Sequence, residues 1–93
     1  MTTKAALHSD LAIPPGELLH EESDARGLTQ RELASRMRRA PRIISNLVLG
    51  RRSIFAELAL ELEAALDGPS ADYWLGLQVE YDLTVARASR SAP

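Results

Sequence analysis

Eight arginines, Arg26, Arg31, Arg36, Arg38, Arg39, Arg42, Arg51 and Arg52, stand within 27 residues of this 93-residue chain. Glu32 is the one acid among them, so the segment carries a net charge of +7. A guanidinium keeps its charge at any physiological pH. Its planar fork matches the paired oxygens of a phosphate or the O6/N7 edge of guanine. The remaining residues hold Lys4, Arg87 and Arg90 against twelve acids, a net of −9, and the whole-chain charge of −2 therefore conceals a basic segment in an acidic frame. Such a segment suits a polyanion, because neutralising phosphates releases counterions and supplies most non-specific affinity for DNA. The same arginines on a featureless surface would be only a solvated basic run. What separates the two readings is the pattern of apolar residues among them.

Residues 29–50 resolve into two short helices with a tight break. Thr29 suits an N-cap, and Glu32 three residues on completes a capping box. Leu33, Ala34 and Met37 recur on one helical face. The pattern breaks at Arg38, Arg39 and Ala40, and Pro41 suits the first position of a new helix, where its missing N–H is no loss. Ile44, Leu47 and Val48 give the second helix an inward face, and Gly50 can close it in a left-handed conformation. Two capped helices separated by a three-residue turn make a helix-turn-helix. Bracketed by the arginines, the motif favours DNA binding over a merely solvated surface.

Other chemistry is sparse. His8 and His20 are isolated from any second ligand at a metal spacing and read as surface residues. With no cysteine, disulfides and thiolate sites are excluded, which suits a reducing compartment. There is no Ser/His/Asp set and no phosphate-binding glycine loop, so no catalytic residue, metal or cofactor is expected, and no enzyme activity. No apolar run approaches a membrane span and the start lacks a signal-type segment, which makes a cytoplasmic location and no membrane partner the expectation.

The supporting elements follow from the same patterns. Residues 1–13 are aperiodic and read as a loose tail. Pro14, Pro15 and Gly16 break the chain and start a helix that Gly27 ends, with Leu18, Leu19, Glu22 and Ala25 as its modest amphipathic pattern and Leu28 packing the entry to the next. Ile54, Leu58, Leu62 and Leu66 mark a helix of about thirteen residues at i, i+4 spacing. Asp67, Gly68 and Pro69 stop it, and Ser70 caps a last helix over residues 71–88. The whole is one all-α domain of five helices over residues 14–88, with residues 89–93 as a disordered tail. On the last helix Leu75, Val79 and Leu83 share one face, and Trp74, Leu77, Tyr81 and Val85 another. So small a domain cannot bury both. The aromatic face, Trp74, Leu77, Gln78, Tyr81 and Val85, is expected to join two copies as a homodimer, since aromatics are enriched at interfaces and helix-turn-helix proteins bind as two-fold dimers. The alternative is that Trp74 and Tyr81 simply wrap the core.

The stretches Leu28-Thr29-Gln30-x-Glu32-Leu33-Ala34, Ile44-Ser45, Gly50-Arg51-Arg52-Ser53-Ile54 and Tyr73-Trp74-Leu75-x-Leu77-Gln78-x-x-Tyr81-Asp82-Leu83, with the opening Pro15-Gly16-Glu17-Leu18-Leu19, resemble the HigA family of antitoxins. These are Xre/Cro-type helix-turn-helix repressors of the lambda-repressor-like fold. The resemblance covers roughly residues 14–87; its first half is generic to many repressors, its last stretch particular to these antitoxins. It implies a dimer that binds operator DNA, represses its own operon and neutralises a cognate ribonuclease toxin. Two alternatives remain: a free-standing Xre-type repressor without a toxin, and a protein-interaction module with a degenerate helix-turn-helix.

Motif geometry nominates the DNA-facing residues. Gln30, at a helix N-terminus, suits a phosphate. Arg42 suits either guanine or a phosphate, and Asn46, one turn on, adenine. Ser45 lies between them, and Arg39, Arg51 and Arg52 flank the helix as backbone contacts. The sequence departs from its relatives in the turn. Arg38 stands where glycine is usual, Arg39 where an apolar residue is, and Ala40 is a poor cap. Ile43 replaces a polar reader and is left between a thymine methyl and a neighbouring apolar surface.

Overall fold

The computed structural model describes residues 12–91. Five helices follow one another: α1 (Pro15–Ala25), α2 (Gln30–Met37), α3 (Pro41–Val48), α4 (Ala56–Leu66) and α5 (Ala71–Ser91). The residues predicted to start and stop them do so by local chemistry. Thr29 Oγ1 accepts the Glu32 N–H at 3.0 Å, and Glu32 Oε1 accepts the Thr29 N–H at 2.9 Å, so the capping box at α2 is formed. Ser70 Oγ accepts the Tyr73 N–H at 3.2 Å at the start of α5. Four helix ends close alike, through the N–H one residue past a left-handed position to a carbonyl five residues back. Leu28 bonds Ser23, Arg39 bonds Ala34, Arg51 bonds Asn46 and Gly68 bonds Glu63, all within 2.8–3.0 Å.

Glycine supplies that left-handed residue at Gly27 and Gly50, whereas Arg38 (φ 57°) and Asp67 (φ 58°) supply it elsewhere. A side chain in this conformation costs about 1 kcal/mol, somewhat less for aspartate. Burying one leucine contributes roughly 1.5–3 kcal/mol, and Leu33 and Ile44 are sealed on either side of the Arg38 turn. The turn therefore holds in spite of its residue.

One aliphatic core joins all five helices. It gathers Leu19 of α1, Leu33, Ala34 and Met37 of α2, Ile44 and Leu47 of α3, Leu58, Ala59, Leu62 and Leu66 of α4, and Trp74 of α5. Gly16 is buried where α1 crosses α3. A β-carbon there would overlap the Leu47 carbonyl and lie 2.6 Å from Val48 Cα, so backbone meets backbone at that crossing.

Two helix boundaries need correction. The fourth helix begins at Ala56 rather than Ile54, because Phe55 is extended (φ −110°, ψ 178°) and the Ile54 N–H is committed to Gln78 Oε1 at 2.8 Å. The fifth runs to Ser91, so the tail expected from residue 89 is helical for three residues. Of the expected N-terminal tail, residues 1–11 lie outside the described part, and residues 12–14 lead into α1 without helix. None of the described helices is long and apolar enough to cross a membrane.

Candidate nucleic-acid interface

The two motif helices and their arginines separate into two groups once side chains are placed. Arg26, Arg36 and Arg39 are used internally. Arg26 Nε donates to the Leu66 carbonyl at 3.1 Å, Nη2 to the Gly68 carbonyl at 3.0 Å, and Nη1 to Glu22 Oε1 at 2.7 Å. Arg36 Nη1 donates to the Ala65 carbonyl at 3.1 Å. Both cations therefore sit on the C-terminal carbonyls of α4, where the helix dipole favours them. Arg39 forms a two-pronged ion pair with Glu61, Nε to Oε1 and Nη2 to Oε2, each 2.8 Å. Its hydrogen bonds hold the Glu61 carboxyl below its ordinary range, and the same pairing raises Arg39. Arg39, expected at a DNA backbone, is thus an internal clamp between the turn and α4.

Arg31, Arg38, Arg42 and Arg51 form the second group, exposed and without a hydrogen bond or ion pair among the described residues. Arg42 is the second residue of α3, which projects its guanidinium from that helix's first turn. Ala40 gives no side-chain cap there, so the positive end of α3 stays open to an anion. Ser45 and Asn46 are half-buried on the same helix, and both carry polar side-chain atoms. Gln30 opens α2, half-buried, beside His20 and Thr29. Arg52 is half-buried, its guanidinium carbon 5.9 Å from the Phe55 ring centroid, a cation–π distance. Ile43 resolves toward the core, packed in part against the buried cluster rather than facing outward.

The proposed dimer face also divides. Trp74 is fully buried within the protomer and Gln78 nearly so. Gln78 accepts from Ile54 and donates to Asp82 Oδ1 at 2.9 Å, tying α5 to the chain entering α4. Neither residue is available to a second copy; they belong to the core because α5 turns its widest side chain inward. Leu77 packs partly on the core and Tyr81 lies half-buried in a groove with Ile13 and Leu18. Val85 remains exposed, and so do Val79 and Leu83.

No protein-family model matches the chain. Virulence-associated protein I of Dichelobacter nodosus is 34% identical over 93 residues, covering 99% of this chain and 85% of that protein. An antidote protein of a plasmid maintenance system from Nostoc punctiforme superposes with a TM-score of 0.78 at 29% identity, over 84% of this chain and 85% of its own. The Pseudomonas aeruginosa antitoxin HigA, in a structure with the higBA promoter, gives a TM-score of 0.77 at 32% identity, over 83% and 84%. With five helices in the order the resemblance implied, the chain belongs to the HigA family of helix-turn-helix antitoxins.

Proposed function

We propose that this chain is an antitoxin that binds operator DNA as a homodimer, represses its own operon and neutralises a cognate ribonuclease toxin. The observation that carries the DNA-binding part is the sorting of the arginines. Arg31, Arg38, Arg42 and Arg51 remain exposed, while Arg26, Arg36 and Arg39 are engaged within the fold. In this reading α3 enters the major groove, with Arg42 and Asn46 on base edges, Ser45 between them, and Gln30, Arg51 and Arg52 on the flanking phosphates. The toxin part rests on the family. The dimer part rests on α5, whose exposed Val79 and Leu83, beside half-buried Leu75, form an apolar row one helical turn apart.

The test is an electrophoretic shift of the full chain on its own promoter and on scrambled DNA across a salt series. A promoter complex that survives moderate salt, and that Arg42→Ala weakens by roughly 10-fold or more, is the expected result. Equal and steeply salt-dependent binding to both duplexes would leave a basic face without sequence reading, and binding to neither would end the DNA-binding proposal.

A further inference from the structure

We infer that Arg38 is a phosphate anchor, an arginine kept in a left-handed turn for the contact its side chain makes with the DNA backbone; this rests on the DNA-binding reading above. The turn asks only for a residue at φ 57°, ψ 43° whose N–H reaches the Ala34 and Ser35 carbonyls. Glycine meets both demands without strain. Asp67, left-handed at the end of α4, is the milder compromise, since short polar residues visit this region. Arginine has no such excuse.

The core on either side holds the turn, but no contact of the Arg38 side chain itself offsets the strain. Arg38 is exposed, and its guanidinium has no hydrogen bond or ion pair among the described residues. Its neighbours are both engaged: Met37 is buried in the core, and Arg39 is clamped to Glu61. Strained residues persist where the surroundings hold them, and such an outlier points outward to function. The outward position here is three residues before Pro41, at the mouth of α3, in the same exposed basic group as Arg42. A long cation there suits a phosphodiester oxygen, whose position does not depend on base sequence.

The two properties separate under one substitution. In the full chain, Arg38→Gly should raise the melting temperature by about 4–8 °C, the shift for relief of such strain in a domain of this size. The same variant should lose affinity for promoter and scrambled duplexes by the same factor, and its log–log salt slope should shrink by about 0.9 for each protomer bound. Arg38→Lys should keep the wild-type slope. An unchanged slope in Arg38→Gly, a loss confined to the promoter duplex, or a melting temperature that fails to rise overturns the assignment. Failure of the underlying reading is distinct, because then the wild-type chain itself binds neither duplex.

Discussion

Glu61 draws Arg39 out of the basic face, and the pairing leaves a trace in the dependence of stability on pH. Its carboxyl is lowered from the ordinary 4.5 first by the hydrogen bonds from Arg39, and Glu32 is lowered first by the Thr29 backbone N–H. A carboxyl whose folded pKa is depressed contributes stability that is fully present above the unfolded value, and that stability is lost as pH falls through the folded one. The fold should therefore weaken as pH drops below about 4.5. Glu61→Gln should melt lower than wild type at neutral pH yet lose less on acidification, as thermal melts at pH 7 and pH 3 would read; parallel losses would remove Glu61 from the account. At this scale the sequence was legible where partners are near. The capping box spans three residues and could be read by eye. Arg26 reaches carbonyls 40 and 42 residues away and Arg39 a carboxylate 22 residues away. No spacing rule announces where a long, flexible guanidinium will land.

Between elements, the seating of α3 depends on what is missing at Gly16. The run Pro14, Pro15, Gly16 is legible as a breaker and a helix start, because proline and glycine act on their own backbone. That Gly16 must also leave room for the Leu47 carbonyl requires knowing that α1 crosses α3 there, which no local pattern contains. Gly16→Ala places a methyl against backbone that no rotamer change can clear. It should cost about 1–3 kcal/mol or more, and lower the melting temperature by at least about 4 °C. A melt unchanged by the substitution would mean the two helices slide apart freely. The late start of α4 has a similar origin: Ile54 keeps the helical spacing, yet its N–H is taken by Gln78 from another helix.

Taken as a whole, the molecule is elongated, 44 × 27 × 22 Å, because α5 outruns the helix it packs against. Its 21 residues span about 31 Å, against about 16 Å for the 11 residues of α4. Size dictated that α5 would keep one apolar face uncovered, and periodicity correctly found two faces. Periodicity could not say which turns inward. Trp74 decides it, since the largest side chain gains most from the core. The test of dimerisation therefore belongs at an exposed position of α5. Leu83 is 45% exposed, so its substitution by aspartate should leave the helical fold of the protomer intact by circular dichroism. In light scattering Leu83→Asp should convert dimers to monomers; an intact dimer would place the interface elsewhere.

The backbone seam at Gly16 also bears on how such a chain diversifies over generations. Where two helices meet through side chains, a drift in one residue can be accommodated by drift in its neighbour, and the crossing angle wanders with them. Between Gly16 and Leu47 there is no side chain on the glycine's part to trade. The pose of α3 is therefore set by backbone, and a substitution on its exposed face leaves that pose in place. If α3 reads the operator as proposed, a lineage that acquires a new one should do so by exchanging Arg42, Ser45 or Asn46 on a fixed mount, with position 16 still glycine.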